Sequence, residues 1–421
     1  MNSSSNYDVL VIGAGPAGST VAALLAEKGW SVLQVEKEKM PRYHIGESLM
    51  PFCYFTLEKL GVLDQMKALE FVEKLSVQFV TQDGNQSRPF YFFQHNDHPS
   101  SYTWQVTRSK FDLMLWENSA KKGVETLDET KVERILTNES GTVTGARIKR
   151  PDGTVDDITA RITVDCSGRD SIFSSRNGWR VRDPELNKIA IWTYFKDAKR
   201  DPGLDAGSTT VAYLTGKGWF WYIPLENNVT SVGVVAARDY LYRDPQVREL
   251  KDIFARETGE NLWIKDHLSI GHDLGQYWVT GEFSYRARHC ATDGLVMAGD
   301  AFSFLDPVFS SGVFLALKSG EMASNAINAA LQANDVSAKR FEAYGTELCE
   351  HIETMRKIVY AFYDTNFSFG KLIAANPDVR GRLTDSLIGN VSENFTQLFE
   401  EMGKIAKLPA PLEYGMTGAA A

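Results

Sequence analysis

Only four cysteines, Cys53, Cys166, Cys290 and Cys349, are spread over 421 residues. None forms a CxxC pair or sits with histidines at metal-ligand spacing, so neither a disulfide framework nor a zinc site is expected and a reducing, cytoplasmic setting follows. Basic residues do not predominate either: 45 Lys and Arg against 54 Asp and Glu leave a net charge of −9. Such a surface repels phosphate backbones instead of releasing their counterions, which excludes nucleic acid as a main partner. Long apolar runs are also missing. The longest stretch, Val9 to Ala26, is broken by Gly13, Gly15 and Gly18 and preceded by Asp8, so it reads as folded interior and no membrane partner is expected. There are no internal repeats, and the short tail GMTGAAA is the one low-complexity tract. What remains is a globular chain long enough for two or three structural units.

The richest signal lies at the start. Val9 to Ile12 is a short continuous apolar run, as a parallel strand buried on both faces requires, and Gly13, Gly15 and Gly18 follow at G-x-G-x-x-G spacing. A helix carrying Val21, Leu24 and Leu25 stops near Gly29, and a second strand, Ser31 to Val35, ends on Glu36. The order predicts a βαβ unit in which the glycines let backbone approach a pyrophosphate and Glu36 accepts hydrogen bonds from a ribose.

Further on, stretches such as WTYF, TTVAYL, FWYIPL and TSVGVVAA are rich in β-branched and aromatic residues and separated by turn formers. They predict an antiparallel β-sheet substrate domain over 76–102 and 181–284. It interrupts a discontinuous α/β domain over 1–75, 103–180 and 285–330, in which a helix is expected near Ser109 to Lys121 and a strand pair at 131–150. Helical periodicity dominates the C-terminal region, 331–421, including an amphipathic segment at 394–407.

Two more strand-to-turn segments, VDCSG ending at Gly168 and LVMAGD ending at Asp300, join the glycine motif. With them the chain resembles the FAD-binding, Rossmann-like fold of the aromatic hydroxylase and glutathione reductase class. Only one nucleotide fingerprint is present, which suggests that reduced FAD arrives from a separate flavin reductase.

The segment Gly218 to Pro224 contains W-x-W-x-I-P in full, beside PRYHIGESLMP from Pro41, FLDPVFSSGV from Phe304, and Lys74. Together these resemble the flavin-dependent halogenases, over roughly the first 330 residues, in the branch acting on phenols and pyrroles. On a strand of period two, Trp219, Trp221 and Ile223 share one face. The resemblance implies that these residues, with Pro224, wall the passage between flavin and substrate, so that a substrate cannot reach the flavin and be hydroxylated. It implies FAD held by Gly13, Gly15, Ala17, Gly18, Glu36, Lys37, Arg42, Ser48, Arg108, Asp165, Gly168, Gly299, Asp300, Pro307, Gly312 and Val313. Chloride or bromide would rest at Ser310, Ser311 and Gly312, which also read as an ordinary helix N-cap. Lys74, placed inward by strand alternation with Val72 and opposite Glu73 and Leu75, would meet hypohalous acid inside the protein and present the halogen to the ring.

Three departures from the family stand out. Leu75 and Ser76 follow Lys74 where glycines are common, Phe309 stands where halogenases of free tryptophan carry a glutamate, and the helical region after residue 330 is short. The expected substrate is therefore a small aromatic ring activated by its own hydroxyl or nitrogen, free or carrier-bound. A monooxygenase or an isoprenoid reductase on the same fold is the alternative. His95, Asp97 and His98 lack a third separated ligand and read as surface loop.

Overall fold

The computed structural model describes residues 6–415 apart from 215, 217, 282 and 283. Strand Asn6–Ile12 runs down the middle of an eight-stranded sheet, with Val32–Val35 parallel on one side and Val155–Asp165 parallel on the other. Outside them Glu125–Leu127 and Leu295–Met297 continue the parallel direction. Lys131–Thr137 and Val143–Lys149 form the expected strand pair, and Val143–Lys149 joins it antiparallel to Val155–Asp165. Val9, Leu10 and Val11 have no exposed surface, as a strand covered on both faces requires. Helix Pro16–Ala26 follows, with Pro16 at its start, and packs against helices Arg108–Lys121 and Ser311–Gln332.

A second eight-stranded sheet is built around Lys188–Lys196, Val229–Ala237, Gly218–Pro224 and Thr209–Leu214, all antiparallel neighbours, with Ser76–Val80 parallel to the last. Side-chain alternation divides it into two faces. Ile191, Phe220, Tyr222, Val232 and Val234 join a separate core beneath helices Leu250–Gly259 and Leu262–Leu268. Trp192, Val211, Trp219, Trp221 and Ile223 face the main core shared with the first sheet. Those two helices interrupt a stretch that the sequence suggests is sheet throughout. Leu250, Ile253 and Phe254 have helical spacing, and Ile253, Phe254, Trp263 and Ile264 supply the apolar surface that covers the sheet.

Strand Val72–Lys74 stands apart, paired antiparallel with Thr103–Gln105. Alternation holds at Glu73, which is exposed, and at Lys74, which is buried; it ends there, and Leu75 is buried as well because the strand has stopped. After residue 330 come helices Glu342–Tyr363, Phe369–Ala375, Val379–Ile388 and Thr396–Gly403, the last shorter than the amphipathic segment. The first is fastened by Arg356 to Asp183 at 2.5 Å, with Tyr360 donating to the same carboxylate at 2.6 Å. Among the described residues no helix is long and apolar enough to cross a membrane.

Candidate active site

A cavity of about 620 Å³ opens between the two sheets, the size of a cofactor site. One wall is the glycine turn. A Cβ on Gly13 would lie 2.3 Å from the Cys166 carbonyl oxygen and one on Gly18 2.1 Å from the Gly13 carbonyl oxygen, so both are required for strand and helix to close together. At Gly15 a Cβ would approach only the Arg42 guanidinium, at 3.6 Å, leaving a cradle of backbone open to the cavity. Such a cradle at a helix start, with a carboxylate at the end of the second strand, fits a dinucleotide.

The charges on this wall are closely paired. Arg108 donates to Asp112 twice, at 2.8 and 3.0 Å, and to the carbonyls of Ile45 and Gly46; Arg42 reaches Asp112 at 3.0 Å. Burial works to raise the Asp112 pKa, but the two guanidiniums outweigh it and hold the carboxyl below its usual range. Burial first, then Arg108, pushes His44 down to about 3, so it is neutral. Glu36 accepts the N–H groups of Ala14 and Glu38 at 2.9 and 3.1 Å and still lines the cavity.

The expected cofactor residues separate into two sets. Gly13, Gly15, Ala17, Glu36, Lys37, Arg42, Ser48, Arg108, Gly168, Asp300, Pro307, Gly312 and Val313 line the cavity. Gly18, Asp165 and Gly299 do not. Asp165 sits beneath the turn, accepting the N–H groups of Ser167 and Phe173, and thereby shapes the Cys166–Gly168 wall. Gly299 lies against Ala17 and donates to the Ser319 hydroxyl. Of the halide candidates, Ser310, held in the left-handed region at φ 59°, and Gly312 are on the wall, while the Ser311 side chain is buried behind it.

The opposite wall is aromatic. Trp219, Trp221 and Ile223 line it together, and Pro224 is buried outside it at the strand end. Two tryptophans that sequence reasoning missed complete it. Trp278 pairs with Trp192, Trp192 with Gly233, and Gly233 with Trp221, so three indoles and one glycine form a single row across four strands. The glycine makes room, since a Cβ there would lie 2.2 Å from a Trp221 ring carbon. Trp192 and Tyr43 both stack on Trp278, with ring centroids 6.1 and 5.0 Å from it. Trp219 donates its indole N–H to Tyr363 at 2.9 Å, and Tyr363 donates to Asp306 at 2.8 Å, which ties helix Glu342–Tyr363 to the segment carrying Ser310.

Lys74 is not itself on the cavity wall. It lies one hydrogen bond behind it, 2% exposed, donating to Ser48 Oγ at 2.8 Å and to the Leu49 carbonyl at 3.0 Å. Ser48 in turn bonds Thr209, and both line the cavity. Burial pushes the lysine pKa down to about 7. A second displaced group, Glu47, was not singled out from sequence although it sits inside PRYHIGESLMP. It lines the cavity, is 3% exposed, and burial raises its pKa to about 7. His95 reaches Asp385 at 3.0 Å, and no cluster of metal-ligating side chains occurs among the described residues.

Fold and cavity thus define a dinucleotide-binding α/β protein with an aromatic second wall. A family model described as tryptophan halogenase matches residues 8–99 and 86–369. Flavin-dependent halogenase armH3 of Armillaria mellea is 35% identical over 78% of this chain and 68% of its own. A 1H-pyrrole-2-carbonyl-[peptidyl-carrier protein] brominase of Pseudoalteromonas luteoviolacea is 32% identical over 92% of this chain and 93% of its own. The solved structure of flavin-dependent brominase Bmp2 superposes with a TM-score of 0.85 at 30% identity, covering 95% of this chain and all of that one. The chain belongs to the flavin-dependent halogenases, enzymes that use FAD and a halide.

Proposed function

We propose that the chain halogenates an electron-rich, pyrrole- or phenol-like ring carried on a carrier protein, using hypohalous acid directed by Lys74. Reduced FAD, delivered by a separate flavin reductase, supplies with O2 the oxidising power that converts halide to hypohalous acid. The thirteen expected cofactor residues on the cavity wall hold it, and the Ser310–Gly312 turn at the head of a 22-residue helix holds the halide. The tryptophan wall keeps the ring away from the cofactor, so halogen rather than oxygen is transferred.

The observation that carries this reading is the environment of Lys74. A buried amine with its pKa near 7 is substantially neutral at working pH. A neutral amine has two hydrogens, and Ser48 and Leu49 engage two, so the nitrogen lone pair is left unused and its direction is fixed. Lys74 either holds hypohalous acid by a hydrogen bond or accepts the halogen. In the second case an N–X bond forms, an N–H proton joins the departing hydroxide as water, and the ring then takes the halogen and returns a proton to nitrogen. Fixing the oxidant at one atom is what makes it regioselective.

A carrier-bound substrate is supported by the near full-length match to two pyrrole-2-carbonyl carrier halogenases, at 28% and 32% identity. The test is incubation with a flavin reductase, NADH, FAD, bromide and a pyrrole-2-carbonyl peptidyl carrier protein. Gain of bromine supports the reading; gain of oxygen or of two hydrogens favours a monooxygenase or reductase. Equal bromination of the free ring would remove the carrier from it.

A further inference from the structure

The proposed oxidant chemistry consumes a proton. Reduced FAD, O2, X⁻ and H⁺ give oxidised FAD, HOX and H2O, because halide enters as an anion and leaves in a neutral molecule. This proton must be delivered where halide is oxidised, and most of the carboxyls nearby are engaged. Asp112 is held by two arginines, Glu36 and Asp165 by backbone N–H groups. Asp300 lines the cavity, but no hydroxyl group donates to its carboxyl among the described residues.

Glu47 differs from all of these. Tyr194 donates to its Oε1 at 2.7 Å, while Oε2 is buried with no hydrogen-bond partner within 3.5 Å among the described residues, Ser231 being the nearest hydroxyl to face the carboxyl besides Tyr194. The Tyr194 hydroxyl lies 3.0 Å from that of Tyr43, and the Trp192 indole N–H donates to Tyr43 at 2.7 Å. Each hydroxyl has one hydrogen. Since Tyr194 gives its own to Glu47, Tyr43 must give its own to Tyr194, so the three groups are oriented in one direction from the surface inward. Tyr43 is 46% exposed and Glu47 3%. Tyr43 also lines the cavity, so the chain runs from an exposed phenol on its wall to a buried carboxyl in two hydroxyl steps.

We propose that Glu47 is the proton donor of the cavity and that Tyr194 and Tyr43 recharge it from solvent. Resting on the halogenase reading, the step balances as follows. The acid form of Glu47 gives its proton to the oxygen released when halide is oxidised. The carboxylate left behind takes the Tyr194 proton, Tyr194 takes that of Tyr43, and Tyr43 takes one from water. Glu47 ends protonated again, now on the oxygen that faces Tyr194, so the carboxyl and the two hydroxyls turn before the next cycle, and one solvent proton has been consumed. The groups that face Glu47 are Tyr194 and Ser231, from neighbouring strands, and the Arg108 guanidinium; burial outweighs them and keeps the acid form populated up to about pH 7.

The relay is tested with Glu47→Gln, Tyr194→Phe and Tyr43→Phe. Gln keeps the shape and the acceptor for Tyr194 but carries no transferable proton, so a merely structural role predicts no change. In single turnover with reduced FAD, O2 and bromide, and a 1,3-diketone trap for hypobromous acid, the first two variants are expected to slow trapping by about 10²-fold with FAD affinity kept. Tyr43→Phe has a smaller effect because water reaches its place. In the cofactor-free protein, infrared spectra should show a carboxylic acid band that fades as pH rises through about 7 and is missing in Glu47→Gln. Trapping by Glu47→Gln at the wild-type rate with an unchanged pH profile, or no such acid band in the wild type, overturns the relay. Failure of the wild type itself to make hypobromous acid overturns the halogenase reading instead, and the infrared result still judges Glu47.

Discussion

The two walls of the cavity treat charge in opposite ways. On the nucleotide wall Asp112 is clasped by Arg108 and Arg42, which keep it ionised, and Glu36 is held in place by two backbone N–H groups. Toward the second sheet, Lys74 and Glu47 are buried without an ion-pair partner among the described residues, and both are driven to about 7, from opposite directions. A binding wall gains from satisfied charge. A reacting wall keeps groups poised between two protonation states, and the fold carries that as a cost.

Lys74→Met should break this contrast most sharply. Halogenation is expected to fall by about 10²–10⁴-fold, read as bromine gained by the product, while the fold becomes more stable. A lysine lowered from 10.5 to about 7 costs the native state up to about 5 kcal/mol, less about 1–2 for the Leu49 carbonyl left unpaired in the variant. The sign sets the window: the cost is full below about pH 7, where the amine must be charged in the folded protein, and disappears as pH rises toward 10.5. Glu47→Gln runs the other way. Its advantage is absent below pH 4.5 and grows until about pH 7, because ionising the buried carboxyl is what costs. Denaturant titrations of the two variants across pH should therefore diverge in opposite directions.

Removing Asp112 attacks the binding wall instead. Asp112→Ala leaves Arg108 and Arg42 buried without their shared carboxylate and should cost about 3–5 kcal/mol of unfolding free energy with weakened FAD binding, measured by denaturation and flavin titration. If it proved neutral, the wall would not be held by these charges.

Gly233→Ala should have a moderate effect, since the new methyl group must displace the Trp221 ring from the row that Trp192 and Trp278 complete. Overpacking of this kind costs about 1–3 kcal/mol. The expected chemical sign is hydroxylated product appearing beside halogenated product in mass spectra, as the barrier between ring and cofactor loosens.

Which parts of this could be read in advance follows from where the information lies along the chain. Gly13, Gly15, Gly18 and Glu36 fall within one βαβ unit, and Trp219, Trp221 and Ile223 alternate on one strand, so local spacing suffices for both. Trp192, Gly233 and Trp278 become neighbours only through strand register, across partners as far as 86 residues apart, and no local pattern marks them. The helices Leu250–Gly259 and Leu262–Leu268 were hidden by strong strand signals on either side. Ser311 and Asp165 illustrate the reverse limit. A motif names the segment at the site, but whether a side chain lines the cavity or supports it from behind depends on a turn of a few residues.

The smallest expected effect concerns the tie between the tryptophan wall and helix Glu342–Tyr363. In Tyr363→Phe the Trp219 indole N–H loses its acceptor and Asp306 keeps the Val308 N–H but loses its hydroxyl partner. The cost should be about 1–2 kcal/mol, and it should depend on pH. Burial already raises Asp306 to about 6, and loss of the Tyr363 hydrogen bond raises it further, so the variant falls behind the wild type mainly above about pH 6, where the carboxyl must ionise unaided. Tryptophan fluorescence followed through urea unfolding at pH 5 and pH 8 measures the difference. An equal deficit at both values would mean that only the Trp219 hydrogen bond counts, and no deficit at either that packing alone holds the helix to the wall; a larger deficit at the higher pH would show that Asp306 shares in the tie between the Ser310–Gly312 turn and the tryptophan wall.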